Sequence, residues 1–122
     1  MGLGQALRGA LASREQIAAA EERAEAARAV GCTPVSQLRD RARASVSGVL
    51  RSVTLRPREG VPALEAELYD GSGALDLVWL GRRRIHGIDP GRRLRAEGLV
   101  CDVDGRRTVF NPRYVLMPRP GE

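Results

Sequence analysis

The 122-residue chain carries 20 basic residues, all of them arginine, against 15 acidic ones and a single histidine, for a formal charge of +5. That length holds one modest domain with an appendage and leaves no material for a second core. Cys32 and Cys101 stand far apart with His86 as the one further soft ligand, so the sequence offers no CxxC pair and no zinc site, and neither a metal nor a cofactor is expected.

The absence of lysine beside abundant Ala, Gly and Arg reflects a GC-rich bacterial genome as much as function, so the distribution of charge says more than its total. Residues 1–40 hold five arginines and five acids, whereas residues 41–122 hold fifteen arginines and ten acids, which places the whole excess in the second part. A positive domain attracts polyanions through its long-range field and through counterion release. No apolar run approaches the roughly 18 residues that span a bilayer, and the start of the chain is too polar for a secretory segment, so a soluble cytoplasmic protein with two buried thiols is expected.

In chain order, residues 1–12 mix small and apolar types with three glycines and are expected to fray. Ser13 and Gln16 have capping-box spacing, Glu15, Glu21 and Glu22 suit the start of a helix, and Gly31 followed by Pro34 stops it, predicting a helix over about residues 14–30. Its apolar stripe, Ile17, Ala20, Ala24, Ala27 and Val30, is thin, which leaves it to dock loosely, to self-associate or to hold a protein partner. A tail, helix and linker over 1–43 thus precede a domain over 44–118, with 119–122 as a C-terminal tail.

Past Pro34 the residue types turn to β-branched and glycine-punctuated, predicting strands over Ala44–Arg56, Val61–Tyr69, Ala74–Leu80, Arg92–Val103 and Arg107–Met117. The turns Arg58-Glu59-Gly60, Asp70-Gly71-Ser72-Gly73 and Asp104-Gly105 carry residues that tolerate positive φ. Arg82–Ile88 is predicted as a short helix between the third and fourth strands. Five strands interrupted there by a helix is the order of the OB-fold, a mainly β, partly open Greek-key barrel that often binds single strands. Alternation turns Leu64, Ala66 and Leu68, then Leu75, Leu77 and Trp79, then Leu94, Ala96, Gly98 and Val100 toward one core. In the first strand Val46, Gly48 and Leu50 share that parity while Val53 and Leu55 have the opposite one, predicting a bulge near Arg51 and Ser52. Phe110 and Tyr114 are expected to close the barrel.

The segments Val46–Val53, Asp70–Gly73, Leu75–Trp79, Pro90–Gly98 and Asn111–Tyr114 together resemble the OB-fold wedge domain of RecG-type DNA helicases, and most closely a stand-alone actinobacterial OB-fold nucleic-acid-binding family. The likeness covers about residues 44–117 and brings no helicase Walker motif with it. It implies binding of single-stranded or branched DNA, or of RNA, without a catalytic step. Where that wedge domain places aromatics after the third strand, this chain has Leu80 and Arg84.

Candidate contacts follow from exposure and position. Arg82, Arg83 and Arg84 form the densest basic run, in the connection that borders an OB groove, where guanidinium planes serve both phosphates and bases. Arg56 and Arg58 flank the first hairpin loop, and Arg106 and Arg107 the last, the two loops that frame the ligand cleft of such a fold. Arg51 is expected to point outward beside Tyr69, the preferred stacking residue. The same parity exposes Glu65, Glu67 and Asp76, which repel phosphate unless they pair with arginine across strands. No triad, P-loop or acid–base pair is visible, and His86 stands alone, so no enzymatic role is expected. The competing class is a protein-interaction adaptor that uses the sheet or the N-terminal helix.

Overall fold

A computed structural model describes residues 14–19 and 31–119 of the chain. Its strands are β1 (Arg43–Leu55), β2 (Ala63–Tyr69), β3 (Ala74–Leu80), β4 (Arg93–Val103), β5 (Arg106–Phe110) and β6 (Arg113–Leu116). β1 is long enough to serve two neighbours: its first half pairs with β4 and its second half with β2, both antiparallel. β2 pairs with β3, β3 runs parallel to β5, and β5 returns to β4, so the order β1-β2-β3-β5-β4 closes on β1 as a ring. The bend that allows this is the predicted bulge, a slip in register between Leu50 and Ser52. Gly48 lies just before it, where β1 crosses under β2 so closely that a Cβ would sit 2.4 Å from the Tyr69 carbonyl oxygen.

The period-two pattern turns the expected residues inward. Leu50, Leu64, Leu68, Leu75, Leu77, Trp79, Leu94, Ala96 and Val100 are all buried, and each large aliphatic side chain removed from water contributes about 1.5–3 kcal/mol. Trp79 meets Tyr114 edge-on with ring centroids 5.7 Å apart. Val53 is half-buried against this core, but Leu55 at the end of β1 is exposed although it still pairs with Leu64 of β2. Phe110 also departs from expectation. It pairs with Val78 on the outward face and takes no part in the core.

Two core residues come from a segment predicted as a linker. A single 3₁₀ turn, Val35–Gln37, delivers Val35 and, just after it, Leu38 into the ring. Buried Asp70 ties it down: Oδ1 accepts from Ser72 N, Ser72 Oγ and Gly73 N, while Oδ2 accepts from Val35 N at 2.8 Å. Four hydrogen bonds satisfy a carboxylate whose burial would otherwise be costly.

Two further expectations need correction. The fifth strand divides into β5 and β6 because Asn111 adopts φ +50° ahead of Pro112; its N–H donates to the Val78 carbonyl and its Oδ1 accepts from Leu80 N. No helix forms between β3 and β4. Gly81 and Gly87, at φ +76° and +85°, interrupt right-handed helical backbone at both ends of the segment, and Ile85 and Ile88, the two ends of one turn, are instead buried in the core. Residues 14–19 are helical and mostly exposed; the remainder of the helix predicted to 30, the fraying predicted for 1–12 and the tail beyond 119 lie outside the described residues. Both cysteines are free and only partly buried.

Candidate nucleic-acid interface

Outward residues of four strands line up across the sheet. Ser52, Glu67, Asp76 and Thr108 form one row, and Thr54, Glu65, Val78 and Phe110 the next. Two tight turns flank these rows. Glu59-Gly60 and Asp104-Gly105 both have positive φ at both positions, the backbone that suits a two-residue hairpin between twisted strands. Between them runs a groove of about 410 Å³ whose lining includes Thr54, Arg56, Arg58, Glu67, Asp76 and Arg106.

Arg51 lies over the Tyr69 ring with its guanidinium carbon 3.3 Å from the centroid, the cation–aromatic pair expected from parity. It also approaches Glu67 at 3.8 Å. Arg58 bonds Glu65 through Nε at 2.9 Å and covers Phe110 at 5.4 Å, while Arg56 reaches the same carboxylate at 3.6 Å. Arg106 grips Asp76 with two donors, at 2.6 and 2.8 Å, and Glu67 with one of them at 3.2 Å. Its pKa is raised above the ordinary guanidinium value, first by the hydrogen bond to Asp76 and then by the charge of that carboxylate. Four arginines therefore meet three carboxylates across the groove, which leaves its floor close to neutral.

The remaining candidates are different. Arg82, Arg83, Arg84 and Arg107 are exposed and form no ion pair among the described residues. The run of three leaves β3 beside the β1–β2 hairpin, where Gly81 N donates to the Pro62 carbonyl at 2.7 Å. The structure thus brings Arg56, Arg58 and the start of the run to one end of the sheet. Arg51, Tyr69 and Arg106 lie toward the other.

Sequence reasoning misses Ser52, Thr54 and Thr108 as groove residues; outward parity beyond the bulge was the available signal for the first two. It also misses a second pocket, where Arg84 meets His86, Asp89, Arg92 and Arg119, since nothing local links the end of the chain to the β3–β4 connection. Among the described residues no three His, Cys, Asp or Glu side chains gather as metal ligands do, and no helix is long and apolar enough to cross a membrane.

Ring and groove define a small mainly β module with a polar, charge-laced face. No protein-family model matches the chain, and no curated protein matches it. Among solved structures it is similar to RecG bound to a three-way DNA junction, at a TM-score of 0.60 and 19% identity over 74% of this chain. The matched part is 13% of the RecG chain, and at that identity the likeness is one of fold.

Proposed function

We propose that the ring is an OB-fold barrel and that the protein is a non-catalytic nucleic-acid-binding module for single-stranded or branched DNA. Arginines contact phosphates, and Tyr69 with Arg51 provides a stacking surface with little base preference. The observation that carries this reading is the set of exposed arginines, Arg82, Arg83, Arg84 and Arg107, that no carboxylate neutralises among the described residues. The fold likeness to a protein whose structure holds a DNA junction supports it. The groove arginines contribute less, because Glu65, Glu67 and Asp76 already hold them. Fluorescence anisotropy with single-stranded, duplex and forked oligonucleotides tests the reading: saturable binding to single-stranded or forked DNA at low salt is expected, and no association with any of the three overturns it.

A protein-interaction adaptor is the second reading. Favouring it, Leu55, Val61 and Leu80 are all exposed at the hairpin end of the sheet, an apolar surface that nucleic-acid phosphates do not use.

A further inference from the structure

The outward face of the sheet changes character toward the β1–β2 hairpin. Past the row that holds Glu65, Ala63 stands opposite Leu80, and past that Val61 stands opposite Arg58. Arg56 N donates to Ala63 O, which sets Arg56, Ala63 and Leu80 side by side. Ala63 and Val78 are buried on this face, but Val61 and Leu80 stay 46% and 42% exposed and, with Arg58 and Glu59, line a pocket of about 540 Å³. Two aliphatic side chains are thus left to water in a concave place.

The backbone around them is already engaged. Leu80 N donates to Asn111 Oδ1 at 3.0 Å and Gly81 N to the Pro62 carbonyl at 2.7 Å, so the end of β3 has no free N–H for an added strand. A ligand here is held by side chains. The charges about the pocket are unequal, because two carboxylates, Glu59 and Glu65, stand against four guanidiniums, Arg56, Arg58, Arg82 and Arg83. Arg58 holds Glu65 through Nε at 2.9 Å, while exposed Arg56 only approaches that carboxylate at 3.6 Å. Arg82 and Arg83 follow Leu80 and Gly81 directly and form no ion pair among the described residues.

We propose that this end of the sheet docks an acidic peptide segment that carries one large apolar anchor. The anchor covers Val61 and Leu80, and carboxylates beside it meet Arg82, Arg83 and Arg56, so apolar contact supplies affinity while charge selects the partner. A nucleobase fits less well. Aliphatic side chains present no π face, and Phe110, the aromatic of the neighbouring row, is covered by Arg58 at 5.4 Å. The proposal does not depend on the nucleic-acid reading, and it gives the adaptor reading a place and a ligand chemistry. Peptide and strand share Arg82 and Arg83 but not the two aliphatic side chains.

The full-length protein is titrated with fluorescein-labelled peptides of glutamate and serine that carry leucine, phenylalanine or tryptophan among the glutamates, followed by anisotropy and backbone amide NMR, in parallel with a single-stranded oligonucleotide. Saturable binding of at least one peptide is expected, with amide shifts centred on Val61, Leu80 and Gly81. It is lost when serine replaces the anchor or glutamine replaces the glutamates. Leu80→Gln and Val61→Gln, both at exposed positions, each weaken peptide binding about tenfold and leave oligonucleotide binding unchanged, with amide spectra showing for each variant that the ring is intact. Peptide binding without oligonucleotide binding keeps this surface and removes the nucleic-acid reading. No saturation with any anchor, or equal peptide affinity in the parent and both variants, overturns the inference and leaves oligonucleotide binding to stand by itself. Loss of oligonucleotide affinity in place of peptide affinity assigns the surface to nucleic acid and overturns it as well.

Discussion

Glu67 and Asp76 stand directly opposite each other across β2 and β3, two carboxylates in register on the groove floor. Like charges so placed repel, and Arg106 relieves the conflict by bonding both. Because its pKa is raised in the folded protein, its contribution to stability is complete below the unfolded guanidinium value and is lost only as pH rises into strong alkali. The side chain is largely exposed, so solvent screening limits the effect: Arg106→Ala costs about 1 kcal/mol at low salt and less at high salt. Adding Asp76→Asn to that variant recovers most of the loss. Urea unfolding of the two variants at low and high salt measures it, and an Arg106→Ala protein as stable as the parent at low salt would show the clamp to be idle.

The same clamp separates arginines that carboxylates already hold from arginines that they do not. Charge already engaged by carboxylates releases few counterions when phosphate arrives, whereas Arg82 and Arg83 have no such engagement among the described residues. Arg82→Gln with Arg83→Gln is expected to reduce the slope of log binding constant against log salt by about two, while Arg106→Ala changes it by well under one. A salt series by anisotropy decides, and equal slopes for both variants would end the distinction.

Arg51 covers one face of Tyr69, so the pair acts as one stack rather than two separate contacts. Tyr69→Leu is expected to weaken single-strand binding about tenfold or more, in line with base–aromatic stacking of about 1–3 kcal/mol, and Tyr69→Phe to leave it nearly unchanged. Arg51→Gln weakens it less. The double variant loses no more than Tyr69→Leu alone, because one stack cannot be lost twice. Full additivity of the two losses would show the residues to bind independently.

Cys32 offers a pH-dependent readout of the segment that precedes β1. Burial raises its thiol pKa, with the Arg95 charge pulling the other way. A thiol whose folded pKa is raised gives stability that is complete below the unfolded value and lost as pH climbs through the folded one, so the window lies above the usual thiol range. Alkylation of Cys32 should therefore reach its half-maximal rate at higher pH than a free thiol, and Arg95→Gln should move it higher still. Cys32→Ser should remove that part of the alkaline loss in stability. A Cys32 midpoint at the free-thiol value would show the segment to be open.

Much of the ring is legible because its signals are local. β3 runs from Ala74 to Leu80 as its alternation and flanking glycines predict, and the parity switch after Leu50 marks the bulge within one residue. The Arg51–Tyr69 contact follows from outward parity on adjacent strands. What escapes is set by distant chain. Val35 lies in the core on a turn whose N–H is held by Asp70, 35 residues later. The carboxylate partner of Arg106 is set by the parallel pairing of β3 with β5, which brings Asp76 beneath it. The helix expected between β3 and β4 is the exception, failing for a local reason that its basic residues conceal: Gly81 and Gly87 take φ +76° and +85°, outside the helical region.

Gly48 is the position on which closure of the ring depends most directly. β1 there passes from β4 to β2, pairing with Leu94 on one side while its Cα faces Tyr69 and Leu68 on the other. A methyl group added at Gly48 meets the Tyr69 carbonyl oxygen at 2.4 Å and Leu68 Cδ2 at 2.9 Å. The leucine can turn aside, but the carbonyl belongs to the sheet and moves only if β1 and β2 separate. Overpacking of this kind costs about 1–3 kcal/mol where side chains can adjust, and a clash with backbone belongs at or above the top of that range. Gly48→Ala is therefore expected to lower unfolding stability by about 3 kcal/mol or more. Exposed Gly105, in the β4–β5 turn, meets nothing within 4 Å, so Gly105→Ala is the control for the strain of a positive φ alone, which costs about 1 kcal/mol. Urea unfolding of both variants, with amide exchange at β1 and β2, gives the comparison; equal losses at the two glycines would mean that the strands do not cross this closely.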